Sequence, residues 1–295
     1  MYKNRSLLAL LICIVFLSSG CSSSQKPTRT YSYSRSVVSA QPLRLASFNI
    51  RIFSNNSRND EELDYITDIL KQYDIIAIQE LRDEIVLKRA VEMLKSKGIE
   101  YDYEISTPVG KSVKERYAFL YRKDKVNEII HGKLYREQND EFIREPYYAT
   151  FKSGKFDFTL ITIHTLYGKS ENLRRPEIEA LKKVFTAVEA ENPKEKDVIL
   201  CGDFNFPPTD KGFNNLKSLP GMMFLIVPPE KTTITDTSLY DNFWFQKQNV
   251  PGYTGKSGVY RFDEVVFEND DDAAKTAVSD HRPIWAEFDI SKDGD

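Results

Sequence analysis

Apolar residues along this chain follow two rhythms. Leu43–Ile52 (LRLASFNIRI), Ile75–Ile78 and Val198–Cys201 are near-continuous apolar runs, the pattern of strands buried on both faces. Phe156–His164 (FDFTLITIH) alternates, and Tyr101–Ile105, Glu115–Tyr121, Arg261–Phe267 and Ile284–Ile290 supply further strands. Helical spacing marks Glu61–Tyr73, with Leu63, Ile66, Ile69 and Leu70 on one face, and Ile85–Lys97. It recurs over Pro176–Glu189, with Ile178, Leu181, Phe185 and Val188 together. No repeat and no second linker interrupts this body, which predicts one α/β domain over residues 43–290 and a polar tail over 291–295.

The apolar runs end in polar side chains. In DVILCGDFNFPP, Asp197 to Pro208, the run stops at Gly202, and Asp203 and Asn205 follow two apart. In extended chain both point the same way, and Phe204 points back to the core. An attacking water and a phosphate oxygen would suit that pair; a strand followed by an Asx turn accounts for it equally. Asn49 and Arg51 share a face at the end of the first run. Glu80 and Arg82 close the second, where a carboxylate is costly to bury unpaired and so faces a metal or a cation. Glu115 opens one strand, Arg144 lies near the start of another, and His164 ends a third. Tyr240 and Asp241 follow later, and Ser279-Asp280-His281-Arg282-Pro283 sits at the mouth of the last strand. There Asp and His stand side by side where a metal and a base would be wanted.

Composition narrows the picture. The 295 residues are 41% hydrophobic, enough for a sizeable core, and the formal net charge of −3 argues against coating nucleic acid through bulk charge. A catalyst that turns over needs only a local basic rim. Lys3 and Arg5 precede Leu7–Leu17, an apolar run too short to span a membrane comfortably. Small residues then lead into Cys21, which resembles a bacterial lipobox. This predicts a signal peptide over 1–20, lipid on Cys21, a flexible tether to residue 42, and export to a bacterial membrane. Cys13 would leave with the signal, so Cys201 is the one remaining thiol, read as a small buried hydrophobe, and no intramolecular disulfide is available.

Eight motifs in order resemble one family. They are FNIR (Phe48–Arg51), QELRD (Gln79–Asp83), KERYAFLYR (Lys114–Arg122), REP (Arg144–Pro146), the strand-end His164, GDFN (Gly202–Asn205), YD (Tyr240–Asp241) and SDH (Ser279–His281). The chain looks like a member of the endonuclease/exonuclease/phosphatase superfamily, nearest the secreted deoxyribonucleases of the type I kind. The resemblance implies a four-layer α/β/β/α sandwich of two packed mixed sheets flanked by helices. It implies Mg²⁺, or Mn²⁺ in its place, on Glu80 with Asn49 and Asp280. His281 oriented by Asp241 and His164 oriented by Glu115 become the acid/base groups, and Asp203 with Asn205 orients water and phosphate. Arg51, Arg82 and Arg144 match positions touching nucleic-acid backbone. The implied reaction is metal-dependent hydrolysis of DNA with little sequence preference by a monomer, leaving 5′-phosphate ends. Phosphodiesterases and phosphatases of the same superfamily, acting on sphingomyelin or inositol phosphates, are the alternative; a catalytically dead surface module is the third reading. Two departures stand out. Val113 occupies a position where the relatives carry a tyrosine, and their calcium loops are only partly matched, by Asp140 and Glu145 and by Glu230, Thr232 and Asp236.

Overall fold

The computed structural model describes residues 41–295; the expected signal peptide, Cys21 and all but the end of the tether lie outside the described residues. The chain runs β1 (Leu43–Phe53), α1 (Asp60–Leu70), β2 (Ile75–Leu81), α2 (Glu84–Ser96), β3 (Tyr101–Ile105), β4 (Arg116–Arg122) and β5 (Asn127–Leu134). It continues with β6 (Tyr147–Ser153), β7 (Phe156–His164), α3 (Glu171–Glu191), β8 (Val198–Asp203), α4 (Asn214–Lys217) and β9 (Met222–Phe224). It closes with β10 (Asp241–Gln246), β11 (Tyr253–Val259), α5 (Phe262–Val265), α6 (Asp271–Ala277) and β12 (Ile284–Phe288). One sheet has the order β11-β12-β1-β2-β4-β3 and the other β5-β6-β7-β8-β10-β9. Among the described residues no helix is long and apolar enough to cross a membrane.

Alternation within the strands builds the layers. In β8, Ile199 and Cys201 face the core between the sheets, while Val198 and Leu200 face α3. In β1, Leu45 enters the intersheet core, and Ala46, Phe48 and Ile50 pack against Leu63, Ile66 and Leu70 of α1. Each central strand is therefore covered on both sides, which is why its sequence reads as one apolar run. The intersheet core is largely aromatic, with Phe156 stacked on Phe158 at 4.8 Å and on Phe288 at 5.5 Å. At about 1.5–3 kcal/mol for each fully buried large side chain, these rings outweigh any single surface contact. Polar links cross the interface too: Gln79 Nε2 of β2 donates to Thr162 Oγ1 of β7 at 2.8 Å. The result is the expected four-layer sandwich. Cys201 is a free, buried thiol.

Some elements depart from the pattern. Arg261–Phe267 is not a strand: it holds the single turn α5, and the neighbouring strand is β11, ending at Val259. Val265 is 69% exposed, and Asp263 is buried because Arg282 grips it at 2.8 and 2.5 Å. An apolar run whose burial is satisfied by an ion pair rather than a sheet has no reason to extend. β5 escaped detection because its Ile129 and Ile130 face solvent at a sheet edge. α3 begins before Pro176 and carries it inside the helix.

The two sheets meet at their edges through β3 and β5. Glu104 of β3 accepts from Gly132 N and Tyr147 Oη, both at 3.3 Å, and lies 3.1 Å from His131 Nδ1, itself 2.6 Å from Glu128 Oε1. Burial, and then the Glu104 carboxylate, push Glu128 from an ordinary 4.5 up to about 7. A carboxyl raised on folding contributes fully below its unfolded pKa and loses that contribution as pH rises through the folded one. We expect the thermal midpoint to fall between pH 5 and pH 8, and Glu128→Gln to reduce that fall by about 2–4 °C in calorimetry. An unchanged fall in the variant would refute the assignment.

Candidate active site

Strand ends from both sheets meet on one edge of the sandwich. β1 and β2 run parallel, as do β7 and β8, so Asn49 and Glu80 come together at one pair of carboxyl ends, and His164 and Asp203 at the other. β10 is antiparallel to β8 in a register that sets Asp241 opposite Asp203, and β12 is antiparallel to β1, so His281 enters just before it. Polar side chains at the ends of buried strands are therefore gathered by topology alone.

The centre is Asp203, 1% exposed. Its Oδ2 accepts from Asn49 Nδ2 at 3.1 Å and lies 3.6 Å from both His164 Nε2 and His281 Nε2. On the far side of each imidazole stands a carboxylate. His164 Nδ1 lies 2.9 Å from Glu115 Oε2, and His281 Nδ1 lies 2.9 Å from Asp241 Oδ2. A carboxylate at Nδ1 fixes the proton there and leaves Nε2 toward Asp203. The 3.6 Å gaps exceed hydrogen-bond length, so both Nε2 atoms are free for a substrate. Burial opposes charge on His281, but the carboxylates of Asp241 and Asp203 outweigh it and lift the imidazole to about 10. Burial raises the Glu115 carboxyl, yet His164 and the nearby Arg144 and Arg82 hold it below the ordinary carboxylate range.

Asn205 is not in extended chain. Its φ is +51°, its N–H donates to Asp203 Oδ1 at 2.9 Å, and its Nδ2 donates to Thr165 O at 2.9 Å. The Asx turn and the functional pair are thus one structure. Glu80 also has positive φ, +60°, within an irregular stretch of β2 pairing on both sides. Such a backbone is strained for a side chain, and here it turns the carboxylate toward Asn49. Glu80 Oε1 accepts from Asn49 Nδ2 at 3.3 Å and Oε2 from Ile52 N at 2.9 Å. Asn49 Oδ1 is buried with no hydrogen-bond partner. An orphaned amide oxygen beside a carboxylate is the all-oxygen donor set a hard divalent cation takes. Among the described residues, the acid and imidazole donors that come within 4.8 Å of one another here are those of Asp203, Asp241 and His281. Asp280 adds negative charge near His281 and Arg58.

Residues 46–281 match the model of the Endonuclease/Exonuclease/phosphatase family. The chain belongs to this family. A deoxyribonuclease of Thioalkalivibrio sp. (strain K90mix) is 31% identical over 261 residues, covering 83% of this chain and 71% of that protein. Human deoxyribonuclease-1 is 30% identical over 265 residues, covering 83% and 92%. The human Nocturnin catalytic domain superposes with a TM-score of 0.57 at 15% identity, covering 84% and 94%, which establishes the shared fold. As a family member the chain is a hydrolase of phosphate esters.

Within this family framework the three arginines differ. Arg51 is half-buried and its N–H donates to Ser279 Oγ at 3.2 Å. Arg82 Nη2 lies 3.5 Å from Glu80 and 3.3 Å from Glu115, so it bridges the Glu80 side and the His164 side. Arg144 is also held from within the protein. It is 9% exposed, and its Nε and Nη2 donate to His164 O at 2.9 Å and Thr165 O at 3.0 Å. Two of its nitrogens therefore hold the His164 segment in place. The candidate calcium acids have cations of their own: Asp140 pairs with Lys111 at 2.6 Å, and Asp236 with Arg282 at 2.5 Å and Arg261 at 3.1 Å. Glu230 lies 3.6 Å from Arg261, and Thr232 Oγ1 accepts from Tyr240 N and Asp241 N.

Several supporting residues had no role assigned from the sequence, although Ser279 and Tyr117 lie within two of the motifs. Ser279 Oγ donates to Asn49 O at 2.7 Å and accepts from His281 N at 3.1 Å, pinning the Asn49 strand end to the His281 turn. Buried Arg58 donates to Val278 O at 2.9 Å, Thr276 O at 2.8 Å and Arg51 O. His164 N donates to Tyr117 Oη at 3.0 Å, and Arg174 Nη1 to Asn205 O at 2.8 Å. A lone Ser, Arg or Tyr in a sequence looks like surface or core; only its partners reveal it as a brace.

Proposed function

We propose that the chain is a metal-dependent endonuclease that hydrolyses DNA phosphodiester bonds with little sequence preference and leaves 5′-phosphate ends. The observation that carries it is the pair of carboxylate–imidazole dyads whose Nε2 atoms both approach one oxygen of Asp203. Hydrolysis of a diester needs one proton removed from water and one delivered to the leaving oxygen, and two facing imidazoles supply both. His281, raised to about 10, is charged at neutral pH and is the donor to the leaving 3′ oxygen. His164, whose Nδ1 is held by Glu115, takes the proton from water at Nε2. Asp203 and Asn205 orient that water and the phosphoryl oxygens. A Mg²⁺- or Mn²⁺-type ion on Glu80 and Asn49 Oδ1 would offset the charge that builds on the phosphoryl oxygens. DNA is favoured as substrate by the deoxyribonuclease names of relatives at about 30% identity. Lys3, Arg5, the apolar run Leu7–Leu17 and Cys21 support export and lipid anchoring.

The test is a substrate panel of supercoiled plasmid, RNA, sphingomyelin and inositol phosphates, with Mg²⁺ or EDTA. Plasmid should be nicked only with metal, and the nicks should reseal with ligase directly, as 5′-phosphate ends do. Phosphocholine release without nicking would transfer the assignment to a lipid diesterase. Labelled palmitate should enter the wild type and not Cys21→Ser.

A further inference from the structure

The opposite end of β8 from Asp203 carries a second group of carboxylates. Asp197, just before the strand, is 0% exposed. Its Oδ2 accepts from Gly294 N at 2.9 Å, but its Oδ1 is buried with no hydrogen-bond partner. Glu195 is 4% exposed. Asp295 Oδ2 accepts from Lys196 N at 2.6 Å, which folds the polar tail back over this end of the sheet. One donor oxygen each from Glu195, Asp197 and Asp295 lies within 4.8 Å of the others. Asp293 stands within hydrogen-bonding reach of Asp197 and Asp157. A cation at the margin is Lys152, 3.0 Å from Asp157 and itself 42% exposed.

Buried carboxylates without a cation are unfavourable, and proximity compounds this. The donors are all oxygen, without nitrogen or sulfur, which selects a hard cation. Calcium takes six to eight oxygens at roughly 2.3–2.6 Å, so two ligands on opposite sides of it stand about 4.8 Å apart. Gly294 completes the fit. A Cβ there would stand 2.8 Å from both Asp197 oxygens and 2.1 Å from Asn249 O, so only glycine lets the tail lie against the carboxylate.

We propose that Glu195, Asp197, Asp293 and Asp295 form a calcium site that clamps the tail onto the base of β8. β8 spans six residues, so at about 3.3 Å each the site lies about 20 Å from the catalytic cluster. It is separate from the Glu80 site and from the two loops that the family resemblance suggested.

The experiment uses the full chain in a Glu80→Gln background, which disables the catalytic metal site, after treatment with chelator. Calcium chloride is titrated by calorimetry, and thermal unfolding is followed with and without calcium. Binding at this site should raise the midpoint by about 5 °C at saturating calcium, more than the same concentration of magnesium does. Asp293→Asn/Asp295→Asn alters tail positions outside the core, so it should fold normally; it should lose at least tenfold in calcium affinity and most of the midpoint rise. The proposal is overturned if calcium leaves the midpoint unchanged, or if the double variant binds and responds as the parent does. It is equally overturned if the double variant is stabilised without calcium and the parent gives no binding heat, the result expected of carboxyls that simply hold protons.

Discussion

Turnover of plasmid DNA falls by about 10³-fold when His281 is replaced by alanine, and by a similar factor for His164→Ala. Each substitution removes one of the imidazoles whose Nε2 lies 3.6 Å from Asp203. General acid–base catalysis contributes about 10²–10⁴-fold for each proton moved, and no neighbouring side chain can substitute at the same place. The losses should not multiply. The histidines serve one displacement, so His164→Ala/His281→Ala should fall little below the worse single variant, to whatever binding and the metal side sustain. Asp241→Asn and Glu115→Gln keep shape but remove the charge that orients each ring, and should cost less than loss of the ring itself. Single-turnover rates on a nicked oligonucleotide, with circular dichroism to verify folding, provide the measurement. A loss below tenfold in both single variants would end the dyad mechanism.

The second large effect is at Glu80. Glu80→Gln should raise the Mg²⁺ concentration for half-maximal nicking at least tenfold and lower the saturated rate by about 10²–10³-fold. The physical reason is the loss of a carboxylate charge next to the orphaned Asn49 Oδ1. Glutamine can still accept from Ile52 N, which the carboxylate now binds at 2.9 Å, so the turn with positive φ at this position should survive. Arg82 keeps its contact with Glu115 at 3.3 Å and needs no rearrangement. Initial rates across a Mg²⁺ series decide the matter, because a purely structural Glu80 would lower the rate without moving the metal curve.

Legibility followed the range of the interactions. The strands VILC and FDFTLITIH and the helices at 60–70 and 84–96 could be read because each is buried by its own periodicity. The edge strand β5 could not, since its Ile129 and Ile130 point to solvent and break the alternation. Arg261–Phe267 misled for the converse reason: its apolar residues imply a strand, but a buried ion pair from Asp263 to Arg282 decides its conformation. That Arg144 also braces the His164 segment lies in the carbonyls of His164 and Thr165, which no local pattern announces.

By itself the chain's order of residues determined which segments become central strands and which polar groups stand at their ends, because burial periodicity and turn chemistry act over a few neighbours. Only the tertiary structure decided which of those groups meet. Glu115 reaches His164 across 49 positions and Asp241 reaches His281 across 40. Those encounters depend on strand order and register, which are set by packing two sheets against an aromatic core rather than by any local pattern.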